Sequence, residues 1–228
     1  MGKISFAGGK PAMVEPAPAS YIALSTIAEG SLVKLTENGM PVEFYIAKHN
    51  YESGLNGAGR TLLVRKECYD NRVWNTSQVA QFPSSSICSW LNGEYKALHS
   101  EQVQSLMGAT KFYGTVGNGD HSVTTFSKAV FLLSGTELGA SSTYMNTEGS
   151  RLPTYAALVL ATMNGSAASQ WTRSTSTYFA DYYAYYMNET GGTANHDVSA
   201  FSHGSRPCFT LPKTVLFNEK TLLFEGVA

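Results

Sequence analysis

The segment "NHDVSAFSHG" brings His196, Asp197 and His203 close together, and all three are residue types that ligate transition metals. Their spacing matches no standard zinc pattern, so a solvent-exposed loop without a metal is expected. Glu137, Glu148 and Asp181 could supply carboxylates to a glycosidase, which needs a pair about 5–9.5 Å apart. No such pairing is visible in the sequence. "GNGDHS" (117–122) lacks the alternating acidic ligands of a calcium loop, and "LSGTE" (133–137) lacks the second glycine of a nucleophile elbow. "GLNGAGR" (54–60) resembles a dinucleotide fingerprint only loosely, because no helix follows. Cys68, Cys88 and Cys208 are too far apart for a C-x-x-C pattern and read as buried thiols. Neither catalysis nor a metal or cofactor is expected.

Recognition is better supplied. "SQWTRSTSTYFADYYAYYMNET" (169–190) concentrates aromatic rings among Ser, Thr, Ala and Asp. Tyrosine gives rigid, amphipathic contact area, and small polar residues give adaptable hydrogen bonds. As a strand, this segment puts Tyr182, Ala184 and Tyr186 on one side and Tyr183 with Tyr185 on the other, facing outward. The candidate ligand surface is therefore Tyr178, Asp181, Tyr183, Tyr185 and Asn188. Arg173 in "QWTRST" and Arg206 in "GSRPCF" sit in mixed apolar surroundings and are expected to be satisfied internally.

The elements that must position these residues follow from pattern. Asn38-Gly39, between two β-prone runs, predicts a hairpin with a two-residue turn. "TLLVRKECY" (61–69) and "KAVFLLSG" (128–135) read as strands, with "KFYGTVGNGDHS" (111–122) a loop by its glycines. "SSSICSWLNGEYKAL" (84–98) spaces Ile87, Trp90, Leu91, Tyr95 and Leu98 by threes and fours, which predicts an amphipathic helix loosened by Gly93. "HSEQVQSLMG" (99–108) predicts a second helix capped by Ser100. "TYAALVLAT" (154–162) fits helix and strand equally. The class expected is α+β, with two early helices and short, mostly antiparallel strands over residues 21–228. Residues 1–20, with Gly8-Gly9 and "PAMVEPAPAS", read as an extended arm or linker.

The chain has 228 residues, a net charge of -1 and 14% charged residues, with no Lys/Arg block to neutralise phosphates, so nucleic acid is not an expected partner. The longest apolar run, "YAALVLATM" (155–163), is about half of the roughly 20 residues a membrane span needs. The early residues lack the apolar stretch of a secretion signal, which points to synthesis and folding in a cytoplasm. The Asn75, Asn164 and Asn188 triplets are read as chance matches to a glycan acceptor.

In order, "VWNTS", "SICSWLNGEY", "KAVFLLSGTELG", "SQWTRST" and "GSRPCFTLP" resemble a bacterial and phage domain family of unknown function. That family carries W-x-x-S, WLN, FLLS-x-x-E, W-x-RS and G-x-RP segments. Trp74 and Ser77, then Trp90, Leu91 and Asn92, match the first two. Phe131 to Ser134 with Glu137, then Trp171, Arg173 and Ser174, and finally Gly204, Arg206 and Pro207, match the rest. Thr172, Thr175, Ser205 and Cys208 depart from the pattern. The resemblance implies scaffold roles for these residues and a C-type-lectin-like domain, the fold shared with formylglycine-generating enzymes. The neighbouring cysteine pair of such an oxidase is missing. Similar sequences look like structural proteins of Firmicutes phages. The resemblance thus implies a non-enzymatic virion protein, tethered to other virion proteins through its N-terminal arm and displaying a surface for a host glycan or protein. A trimer is the family-level expectation. The alternatives are a purely structural capsid or tail decoration and a cell-wall-directed enzyme.

Overall fold

The computed structural model describes residues 20–178 and 181–227, so most of the expected arm, residues 1–19, lies outside the described residues. Two five-stranded sheets organise the chain. In the first, Leu32–Glu37, Met40–Lys48, Arg60–Arg65, Cys208–Pro212 and Val130–Phe131 lie side by side, every neighbouring pair antiparallel. In the second the order is Thr193–Asp197, Tyr183–Met187, Gln170–Thr175, Ser202–Gly204 and Asn71–Val73. Here Gln170–Thr175 meets Ser202–Gly204 in parallel, at Gln170 and Gly204. Tyr21–Ala23, Val215–Asn218 and Phe224–Val227 form a smaller sheet.

Asn-Gly pairs set three of the turns. Asn38 and Gly39 take φ of 47° and 80°, the left-handed pair that matches the twist of a two-residue hairpin. They join Leu32–Glu37 to Met40–Lys48, with Glu37 opposite Met40. Asn118-Gly119 turns Thr110–Gly117 into Asp120–Lys128, and Asn164-Gly165 turns Ala161–Met163 into Ser166–Ala168. The expected loop at 111–122 is therefore most of a hairpin, and the ambiguous 154–162 segment is a short helix, Tyr155–Leu158, leading into a strand.

The two early helices stand where the spacing puts them. Ser86–Trp90 runs on through Leu91–Tyr95 and Lys96–Leu98, its middle turn widened around Gly93, and Glu101–Leu106 follows. Ser85 Oγ accepts from Cys88 N at 3.2 Å and Ser100 Oγ from Val103 N at 3.3 Å. They remain a minor part of the molecule. Strands take up 43% and helices 16%, so the chain is mostly β, with several small antiparallel sheets. This overturns the α+β expectation, and a C-type-lectin-like fold is not shown. The physical reason is that the remaining segments are short and turn at glycines, giving strands where the glycines had suggested loop.

Trp74, Trp171, Phe112, Phe131 and Phe209 are buried in a continuous core between the sheets. Phe112 and Phe131 stack with centroids 4.5 Å apart. The residues that matched family segments tie elements together. Trp74 Nε1 donates to Thr172 O and Trp171 Nε1 to Arg72 O, both at 2.9 Å. Asn92 donates to Cys88 O and Val130 O and accepts from Val130 N, pinning the helix to the edge of the first sheet. The Arg72 guanidinium lies 3.6 Å from the Trp90 ring centroid. Arg206 gives its protons to the carbonyls of Arg65, Lys66 and Leu158, so an all-carbonyl cradle holds a buried cation. The three cysteines are buried and unpaired.

Candidate functional site

The Gln170–Thr175 strand is buried along its whole length, so its arginine must find partners inside the protein. Arg173 Nη1 donates to Glu137 Oε2 at 2.6 Å and Leu132 O at 2.9 Å, and Nε donates to Tyr113 O at 2.9 Å. Nη2 has no hydrogen-bond partner among the described residues. The guanidinium carbon lies 4.8 Å from the Phe112 ring centroid. Glu137 also accepts from Ser134 N at 2.8 Å and from the Tyr51 hydroxyl. Glu148 accepts from Thr115 N and Oγ1 and from Ser174 Oγ, at 2.7, 2.6 and 2.6 Å. Burial alone would lower the Arg173 pKa, but the Glu137 carboxylate, aided by Tyr51 and Glu148, raises it overall. Burial raises the Glu148 pKa, against the pull of Arg173, Ser174 and Thr115. Glu137 and Glu148 are fully buried, and their oxygens are spent on these bonds. Neither faces a substrate as a glycosidase carboxylate must.

This network fixes the surface above it. Ser134 Oγ donates to Glu148 O at 2.9 Å, Glu148 N to Thr136 Oγ1 at 3.0 Å, and Leu152 N to Glu137 O at 3.0 Å. The irregular segment 134–152 is thus tied to the core at both ends, and hollows open on either side of Thr147. One, about 400 Å³, is lined by Thr136, Ala140, Ser142, Asn146, Thr147 and Arg151 among others. The other, about 390 Å³, is lined by Glu52, Tyr113, Val123, Thr147, Gly149 and Ser150. Asn146 reaches down to Thr115 Oγ1 and His121 O, anchoring the ridge between the lobes. Tyr144, between lining residues Ser142 and Met145 in the chain, packs on Tyr178 with centroids 4.8 Å apart. These rings are 47% and 62% exposed, and Tyr144 lies next in the chain to Met145, which lines the first lobe. A larger hollow of about 540 Å³ near Arg65 is lined by Lys34, Glu43, Arg65, Lys66 and Glu67 among others, with Lys66 paired to Glu43 and Arg65 to Glu37.

The structure divides the expected surface residues. Tyr178 is exposed and packs on Tyr144. Tyr185 is 2% exposed, contrary to the expected outward orientation. The segment around Ser142 covers that face, and Ser142 Oγ lies 3.0 Å from the Tyr185 hydroxyl. Tyr183 is half-buried at the start of its strand, and its carbonyl accepts from Ser176 N. Asp181 is exposed, its carbonyl bonded to Ala80 N. Asn188 spends its side-chain oxygen on Thr190 and Gly192, closing the turn. Phe179 lies outside the described residues.

His196, Asp197 and His203 are on strands rather than in the expected exposed loop. His196 Nδ1 and His203 Nε2 are 2.8 Å apart, and the Tyr186 ring stacks on both imidazoles. Burial, reinforced by His196, pushes the His203 pKa down to about 4. No group of three or more His, Cys, Asp or Glu suited to a metal occurs among the described residues. Also among the described residues, no helix is long and apolar enough to cross a membrane.

Sequence reasoning missed Glu52, Tyr113, Tyr144 and Thr147. Tyr144 had a faint signal, as an aromatic in a Ser/Thr/Asn-rich loop. Glu52 had none, because its left-handed backbone, φ 44°, is set by tertiary contacts. A family model described as "Domain of unknown function (DUF6273)" matches residues 58–213, more than half of the chain. That span takes in both lobes apart from Glu52. No curated protein and no solved structure matches the chain.

Proposed function

For this chain, which belongs to the DUF6273 family, we propose a binding role: a non-enzymatic module on a phage particle that holds a host-surface glycan in the two-lobed cleft. The observation that carries this reading is the exposed Tyr144–Tyr178 pair beside a hollow walled by hydroxyls, an amide and Arg151. Sugars present apolar C–H faces and rings of hydroxyls, and such a site meets both. The rigid floor adds to the argument, because walls already ordered lose little entropy when a ligand docks. The phage setting rests on the resemblance of the sequence segments to phage structural proteins, with the N-terminal residues as tether. Purified protein applied to isolated host cell walls tests it. Tyr178→Ala and Tyr144→Ala should each weaken binding about tenfold, the effect of losing roughly 1–1.5 kcal/mol of ring contact. Equal binding by the variants and the parent, or none by either, would defeat the proposal.

A structural decoration role is favoured by a different feature. Asp120–Lys128 is exposed along most of its length and pairs, among the described residues, only with Thr110–Gly117. Such an edge can accept a neighbouring strand in an assembly. Tyrosine-modifying reagents on intact particles separate the roles: reactive Tyr144 and Tyr178 support the glycan site, and protected ones support assembly.

A further inference from the structure

The second lobe carries an unmet charge. Among the described residues, the Glu52 carboxylate takes part in no hydrogen bond or ion pair, although every other acidic side chain near it is engaged. Burial raises its pKa, opposed by Lys48; Glu137 adds to the rise and Arg173 counters it. Its backbone is held at φ 44° and ψ 54°, a left-handed conformation that is strained for a non-glycine residue. Gly149 keeps the wall beside it bare: a methyl group there would stand 3.4 Å from Glu52 Oε1 and 3.8 Å from the Tyr113 ring. A half-buried carboxylate, an aromatic ring and the hydroxyls of Thr147 and Ser150 therefore border one solvent-filled hollow of about 390 Å³.

Lys48 acts on Glu52 from a distance without forming an ion pair with it, which leaves the carboxylate oxygens open to a cationic group at contact. Arg173 is neutralised by Glu137 at 2.6 Å, and Glu148 lies buried behind the same wall. A hard metal ion would need several oxygen ligands, and the hollow offers one free carboxylate. A ring and a single carboxylate instead suit an alkylammonium group, by cation–π attraction and a charge-assisted hydrogen bond.

We propose that the lobe formed by Glu52, Tyr113 and Gly149 is an ammonium subsite, so that the glycan held in the cleft carries free amino groups. The inference rests on the glycan reading above and adds the ligand's chemical class. Glu52 lies outside the residues matched by the family model.

Calorimetric titration with a glucosamine oligomer and its fully N-acetylated counterpart, at pH 7 and low salt, tests it. The parent protein should bind the amine form about fivefold more tightly. Glu52→Gln should remove that preference, bringing the two affinities together; Tyr178→Ala should weaken both. Glu52→Gln has no partner to lose and should fold normally, which circular dichroism checks. If the parent lacks the preference, or Glu52→Gln retains it, the subsite is wrong while the glycan reading stands. If neither oligomer binds, the glycan reading fails, and ethylammonium chloride decides the subsite by amide shifts. Shifts at Gly149 and Ser150 that vanish in Glu52→Gln uphold it, and their absence overturns it.

Discussion

His99 offers a test of how burial governs acid stability. Its side chain is enclosed by Phe44, Tyr95 and Phe209, with ring centroids 5.5–6.1 Å away, and neither ring nitrogen has a hydrogen-bond partner among the described residues. Glu37, the nearest carboxylate, is already held by Arg65 and Tyr95 and stands 3.9 Å off. Burial pushes the His99 pKa from 6.5 down to about 4, a push opposed by the Thr36 backbone and reinforced by Arg65. The folded protein thus binds this proton less readily than the unfolded chain, for which 6.5 is the ordinary value. Stability is fully present above pH 6.5 and is lost as the pH falls towards 4. At 1.36 kcal/mol per pKa unit the complete loss is about 3 kcal/mol, of which about 2 kcal/mol has gone by pH 5. His99→Leu and His99→Phe remove the titration without orphaning any partner. Urea unfolding, followed by tryptophan fluorescence at pH 7 and pH 5, should show both variants losing about 2 kcal/mol less than the parent between the two. Other titrating groups contribute equally to each protein and cancel. A parent and variants that weaken in parallel would refute the reasoning.

Three further outcomes follow from the same geometry. Arg173→Met leaves Glu137 buried without its cation and should cost about 3–5 kcal/mol in urea unfolding, with part regained in Arg173→Met/Glu137→Gln. Gly39→Ala meets no atom within 4 Å yet must hold φ near 80°, so it should cost about 1–2 kcal/mol from backbone strain alone. Tyr185→Phe, which loses only the hydroxyl contact with Ser142, should cost about 1 kcal/mol of stability and leave cell-wall binding unchanged, the reverse of Tyr178→Ala.

Local signals were legible where the physics is local. The Asn38-Gly39 turn and the Ser100 cap of the second early helix act over a few residues, and the structure has them where the sequence puts them. The same turn chemistry stood in plain view at Asn118-Gly119 and Asn164-Gly165, but the many surrounding glycines read as loop, and the balance of strand over helix was misjudged. The face of a strand is a different kind of problem. Alternation separates Tyr185 from Tyr186 correctly, yet whether a face meets water depends on what another part of the chain lays over it. Here the Ser142 segment covers Tyr185. Arg173 and Glu137 could each be expected to have partners, whereas their pairing, across 36 residues, is a product of the fold. Glu52 stood beyond sequence reasoning altogether, since nothing about one more glutamate tells that its carboxylate will make no hydrogen bond or ion pair among the described residues.

The ridge at Thr147 has a consequence for what kind of polymer the cleft could read. Glu148, beside it in the chain, is bolted to three donors in the core, which resists movement of the two lobes relative to each other. A flexible site would adapt to chains of many repeat lengths. On the proposed glycan reading, this one would work as a ruler, favouring polymers whose aromatic-facing unit and charged unit recur at the one interval the ridge dictates.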